Sequence, residues 1–176
     1  FFRAVNREMI GSSAERTFEQ KILPKKVSHL NTCLSVIFRN SQSLVDFVSA
    51  GISLPIDFYI KSTGMGHANI NLLNRLPFPC SKFKRISDLR LRTLCLNCIT
   101  SHYSELWKEC WNESFRSHCW TKKDKRLPIS FFSNLNSNWH RNCALRTDYS
   151  RRQALLEIDV LVAQSIGLTL DELLTI

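Results

Sequence analysis

FYIKSTGMGHANINLLNRLPFP, residues 58–79, is the stretch on which the reading of the fold turns. Its first residues close an aromatic-rich helix, and Ser62-Thr63-Gly64 stop it, because glycine readily takes the left-handed conformation that ends a helix. A polar loop with a second glycine follows. "NINLLNRL" at 69–76 then reads as a short strand. Pro77 and Pro79 halt it, since proline cannot donate to a sheet ladder. A helix that hands over to an extended run closed by Leu-Pro-Phe-Pro marks the end of a mixed lobe of strands and helix.

Upstream, Ser43 with Asp46 has the spacing of a capping box, and Leu44, Val45, Phe47, Val48 and Ile52 give a helical apolar stripe. Pro55 lacks an amide hydrogen, so it should kink or restart that helix. Residues 15–43 read as strands. Pro24 separates "RTFEQKIL" from "KVSHL", and "TCLSVIF" follows, with Leu34, Val36 and Phe38 on one face and Cys33, Ser35 and Ile37 on the other. Residues 1–14 look irregular or weakly helical.

Downstream the character changes. Residues 88–111 read as one long amphipathic helix whose stripe includes Leu91, Leu94, Cys98, Tyr103, Leu106, Trp107 and Trp111. Residues 116–142 are polar, basic and aromatic with weak periodicity, the signature of a long loop. Thr147 or Asp148 can cap a last helix with a stripe of Leu155, Ile158, Leu161, Val162 and Ile166, and Gly167 ends it. Thr169 to Glu172 is a second capping box, opening a short helix. The fold class expected is α+β: a small mixed recognition lobe over 1–80 with short strands and a kinked helix, then a mostly helical part over 81–176.

The chain of 176 residues is 44% hydrophobic, enough for a core, and 22% charged. It begins with Phe1 rather than a methionine, so it reads as a piece of something longer. No signal-peptide core and no 18-residue apolar run is present, which makes a cytoplasmic location the expectation and excludes a membrane partner. The net charge of +9 is uneven. Residues 1–80 carry 9 basic and 5 acidic groups, 81–152 carry 15 and 6, and 153–176 carry none and 4. A basic body with an acidic tail suits a polyanion, whose condensed counterions lysine and arginine release.

Seven cysteines, at 33, 80, 95, 98, 110, 119 and 143, form no secreted disulfide framework and read as small apolar residues. Cys95 and Cys98 with His102 could offer three ligands on one helix face, and zinc needs four converging ones. A mid-helix C-x-x-C lacks both the turn that zinc pairs favour and the helix N-terminus that activates a redox thiol. No metal, cofactor-binding or catalytic residue is assigned. Dinucleotide, Walker, nucleophile-elbow and zinc-protease motifs are missing, and "STGMGHAN" follows a helix instead of opening one.

Basic residues near turns are the remaining signal. Arg16, Lys21, Lys25, Lys26, His29 and Arg39 flank the strands; Lys61, Thr63 and His67 belong to the glycine loop; Lys82, Lys84 and Arg85 follow the prolines. Together they are candidates for a phosphate-tracking face. "KKDKR" at 122–126 is a further compact run. Phe131, Phe132 and Trp139 near it could meet bases, although packing beneath the loop is the plainer reading.

The order of these pieces resembles a known family. Strands opening with "ERT" and a proline, a helix, an "IKSTG" loop and "NINLLNRLPFP" are similar to the target-recognition region of bacterial restriction-modification enzymes that fuse an N6-adenine DNA methyltransferase to a specificity domain. "RTDYSRRQALLEIDVLVAQSIGLTLDELLTI", residues 146–176, resembles the C-terminal helices of the same type IIG-like proteins. The resemblance implies a parent enzyme that methylates adenine with S-adenosylmethionine, with or without Mg2+-dependent DNA cleavage. The catalytic Asn/Asp-Pro-Pro-Tyr/Phe motif and the cofactor glycine motif are absent here, so neither role falls on any residue of this chain. What carries over is target recognition on double-stranded DNA, with the remainder of the larger polypeptide as a second partner. The competing expectation is a helical interaction module that docks on a larger enzyme or partner subunit without touching nucleic acid.

Overall fold

The computed structural model describes residues 1–11, 14–79 and 81–176, and within them one small sheet and seven helices make an α+β structure. Strands β1 (Arg3–Arg7), β2 (Lys21–Leu23) and β3 (Cys33–Val36) are antiparallel in the order β2-β1-β3. The N-terminal stretch is therefore the central strand, which corrects the expectation of an irregular or weakly helical start. Phe2, Ala4 and Asn6 are buried, while Arg3, Val5 and Arg7 turn the other way. So short a strand is stable only with partners, and both of its partners lie further along the chain. "KVSHL" is not a strand: the chain turns after Pro24, and Lys26 adopts a φ of +61°. Leu34, Val36 and Phe38 pack on the core as their alternation predicts, with Ile37 exposed.

Helices α1 (Ser41–Gly51) and α2 (Leu54–Ser62) meet at an angle of 65°, with Pro55 in the first turn of α2 where no amide hydrogen is needed. The cap of α1 is Asn40 rather than Ser43: its side chain accepts from the Ser43 amide at 2.7 Å. Asp46 is no capping partner either. It is buried against Arg90, with bonds of 2.7 and 2.6 Å. Gly51 lies so close to the buried Gln20 that a Cβ would sit 2.0 Å from its Oε1. Thr63 ends α2 by donating to the Ile60 carbonyl, and Gly64 follows at φ +66°.

The expected strand at 69–76 is a correction too. Residues Ile70–Leu73 form a one-turn helix, α3, capped by Asn69, which accepts from the Leu72 amide at 3.0 Å. Leu72 and Leu73 are both buried. Neighbours on a strand face opposite ways, whereas adjacent helical residues can share a buried side.

The long helix expected over 88–111 is two: α4 (Ile86–Asn97) and α5 (Ser104–Cys110), with a 3-10 turn at Ser101–Tyr103 between them. Every residue from Leu91 to Cys98 is buried, so α4 is a central helix rather than a one-sided one. Its last carbonyls are taken by distant donors. The Leu145 amide bonds Cys95 at 3.0 Å, the Trp139 indole bonds Cys98 at 2.8 Å, and Arg146 bonds Ile99 at 2.7 Å. Helix ends need such partners, and here tertiary structure supplies them.

Residues 116–142 hold no helix longer than 3-10 turns at Glu113–Ser117 and Arg141–Cys143, yet Trp120, Leu127, Phe132 and Leu135 are buried. Helix α6 (Asp148–Ser165) is capped by Thr147, and Gly167 follows at φ +84°. Thr169 and Glu172 form the expected capping box of α7 (Leu170–Thr175). Among the described residues no single helix is long and apolar enough to cross a membrane.

One hydrophobic cluster runs from Phe2 to Val162 and draws on both the strand-bearing part and the later helices. Buried ion pairs cross it. Arg92 of α4, 1% exposed, bonds Glu157 of α6, donates to the Cys119 carbonyl at 3.0 Å and lies 3.3 Å from Asp88. Glu157 also accepts from the Thr121 amide and hydroxyl (2.9 and 2.7 Å) and from Gln153 (2.9 Å). Asp88 is held in turn by Arg85 at 3.1 Å and His118 at 2.6 Å. Burial pushes the Asp88 carboxyl up, but His118, Arg85 and Arg92 outweigh it and hold it down at about 2.

Two outcomes follow from this network. Glu157→Ala should lower unfolding stability by about 3–5 kcal/mol in urea titration, because Arg92 is left buried without its partner; the double change Arg92→Met/Glu157→Leu should cost much less. A carboxyl depressed in the fold stabilises above its unfolded pKa of about 4 and loses that contribution as pH falls toward its folded value. Circular dichroism between about pH 5 and pH 2 should accordingly show a shallower loss of stability in Asp88→Asn than in the native chain.

Candidate functional site

The sheet brings together basic residues that are scattered along the chain. In its register Val5 stands opposite Lys21 on one side and Ser35 on the other, Arg3 opposite Leu23, and Arg7 opposite Cys33. Residues directly opposite in antiparallel strands share a face, and the buried partners Ala4, Ile22 and Asn6 mark the other face as the core side. The outer face thus carries Arg3, Arg7 and Lys21, and none of its register positions is acidic. The segment after Pro24 is tied to this face. Arg3 donates to the Val27 carbonyl, and His29 Nε2 lies 2.9 Å from the Ser35 hydroxyl. Lys26 is exposed in the same segment.

The glycine loop adjoins the end of β1. Ile10 donates to the Gly66 carbonyl at 2.9 Å, Ala68 to the Glu8 carbonyl at 2.6 Å, and Met9 and His67 form a bridge. His67 is therefore exposed just beyond Arg7, and Thr63 stands at the start of the loop as the cap of α2.

Other candidates are committed elsewhere. Arg16 grips Asp159 of α6 through both terminal nitrogens (2.9 and 2.7 Å) and donates to the Ile52 carbonyl at 2.6 Å. Asp159 accepts the Leu54 amide as well, so this pair fastens the start of α2 to α6. Lys61 lies 3.0 Å from Asp57, whose other oxygen takes the Thr17 and Phe18 amides. Lys25 pairs with Glu105 of α5. Arg39 is exposed beside the α1 cap, in a hollow it shares with Lys25 and Phe38. Lys82 and Lys84 are exposed in turns before α4, and Arg85 pairs with Asp88. Cys80 lies outside the described residues.

Two members of the outer face, Arg3 and Arg7, escape a reading of the sequence that leaves residues 1–14 unstructured. Their signal is the period-two alternation of apolar Phe2 and Ala4 against Arg3, Val5 and Arg7. Asp88 and Ser87 escape it too. His118 Nδ1 lies 2.6 Å from Asp88, and Nε2 lies 3.2 Å from the Ser87 hydroxyl. The order of atoms is that of an activated serine, but Asp88 is shared among His118, Arg85 and Arg92. Its evident work is to lock the Glu113–Ser117 turn onto α4.

Cys95 and Cys98 are fully buried, and desolvation pushes both thiols up, away from the thiolate that metal or redox chemistry needs. Cys98 ends α4 instead of standing within a helix. Among the described residues no three His, Cys, Asp or Glu side chains converge as metal ligands. The outer face offers hydrogen-bond donors and positive charge, which equips it to bind an anion. No known protein family, curated protein or solved structure matches the chain.

Substitution separates the two kinds of arginine and lysine. Arg16→Ala should lower the melting temperature by several degrees, since it strands a buried Asp159. Lys21→Ala, at an exposed outer-face position, should leave it within about a degree.

Proposed function

We propose that this chain is a DNA-binding specificity segment of a cytoplasmic restriction-modification methyltransferase, contributing target recognition rather than catalysis. The observation that carries the reading is the outer sheet face, where the strand register gathers Arg3, Arg7 and Lys21 with no carboxylate among them. Antiparallel strands can lie in a DNA groove, with alternate side chains directed at base edges. Arginine suits guanine, to which it can donate twice, and lysine holds the phosphates that set register. Four carboxylates, Asp46, Asp57, Glu157 and Asp159, are buried, each paired with a cation, so none of them offsets the charge of this face. His67 and Lys26 extend the donor surface on either side. The resemblance in the 15–79 and 146–176 stretches supplies the parent enzyme, and with it the duplex as substrate.

Electrophoretic shifts with a duplex of about 30 base pairs test the reading. Binding should weaken by powers of ten between about 50 and about 200 mM salt. Arg7→Ala/Lys21→Ala should bind at least about tenfold more weakly, with a salt slope shallower by about two. A native chain that leaves the duplex unshifted at low salt would end this reading.

A further inference from the structure

Ile129 is 95% exposed, more than any other large hydrophobic residue among those described. A lone exposed isoleucine is unremarkable. This one stands on a turn that is both braced and cationic. Asp124 pins its base, bonding the Arg126 amide at 3.0 Å, the Arg126 guanidinium at 2.9 and 2.8 Å, and the Tyr149 hydroxyl of α6 at 2.7 Å. The Arg126 guanidinium also lies 3.5 Å from the centre of the Tyr149 ring. Leu127 is buried, Pro128 fixes the backbone just before Ile129, and the Phe131 amide closes a turn onto the Pro128 carbonyl at 3.1 Å. Behind it, Phe131 and Phe132 pack on Trp120 with ring centres 5.9 and 4.9 Å away.

The charges around the tip are arranged for an anion. Asp124 is spent on Arg126 and Tyr149, whereas Lys122, Lys123 and Lys125 are exposed and line a cleft of about 1000 Å3 together with Ile129. The aromatic rings beneath are unsuited to stacking with bases, because Trp120 and Phe132 are already buried in one another. What is exposed is an aliphatic side chain on a proline-braced turn, flanked by lysines. Side chains of this kind unstack DNA when phosphate contacts hold the duplex against them.

We infer that Ile129 is a wedge that enters a base step of bound duplex DNA, with Lys122, Lys123 and Lys125 gripping the phosphates on either side. This rests on the DNA-binding reading, but on a different surface from the sheet face that carries it. A kink made by the wedge would let sequence-dependent stiffness contribute to target choice at steps that no side chain touches.

The test uses duplexes carrying 2-aminopurine, whose fluorescence rises on unstacking, alongside electrophoretic shifts with the same DNA. The native chain should raise the fluorescence at saturation. Ile129→Ala should abolish that rise while weakening binding by less than about tenfold, and Ile129→Leu should keep it. Lys122→Ala/Lys123→Ala/Lys125→Ala should reduce the salt slope by about three. Ile129 and the three lysines are exposed, so these variants should fold, and circular dichroism checks it. Shifted duplex with unchanged 2-aminopurine fluorescence, or a fluorescence rise that survives Ile129→Ala, would overturn the wedge and leave the DNA-binding reading standing. No shift at all would remove both. A chain that leaves the duplex unshifted but binds a fluorescein-labelled acidic apolar peptide by anisotropy, with binding lost in Ile129→Ala, would make this surface a protein-docking site and overturn the wedge as well.

Discussion

The ion pair between Arg92 and Glu157 is the constraint around which the rest of the molecule is arranged. Both groups are almost wholly removed from water, and a lone charge there would cost several kcal/mol. Polar groups nearby are accordingly recruited. Thr121 and Gln153 complete the carboxylate, and Cys119 and Asp88 complete the guanidinium. The pair thereby fixes three things at once: the packing of α4 on α6, the path of the loop through Cys119 and Thr121, and, by way of Asp88 and His118, the turn before that loop. Hydrophobic burial supplies the bulk of the stabilising energy, but it is non-directional. The ion pairs give the helices one register.

A second consequence concerns the surface. Asp46, Asp57 and Asp159 follow the same pattern as Glu157, each anchoring a distant segment through Arg90, the Thr17 and Phe18 amides, or Arg16 and the Leu54 amide. Interior anchoring takes these four carboxylates and their cationic partners out of solvent together. The outer sheet face and the 122–129 turn are two places where exposed basic side chains gather. Both surfaces are mounted rigidly, one on paired strands and the other on the Asp124–Tyr149 clamp.

The elements legible in advance were those with local punctuation. The break at Pro55, the stop at Gly64, the cap at Thr147, the end at Gly167 and the Thr169–Glu172 box all depend on residues within one helical turn of each other. The failures have a common cause as well. β1 is held by partners far along the chain, α4 stops where Leu145 takes the Cys95 carbonyl and Trp139 and Arg146 take those of Cys98 and Ile99 just past it, and α3 is helical because Asn69 caps a pair of leucines that both face the core. Of the basic candidates, Lys21, Lys26, His29 and His67 gather at or beside one surface, whereas Arg16 became an interior anchor. An arginine at a strand boundary looks the same in either role until Asp159, which is remote in sequence, is placed beside it.

By itself the sequence determined the class of fold, the C-terminal helices with their caps, and the basic balance of the chain, because composition and short-range backbone chemistry are written locally. Only the tertiary structure decided which charges point inward, which strand is central, and that Ile129 stands out among lysines. Those outcomes depend on pairing between residues tens of positions apart, and no local pattern encodes the partner of a buried charge.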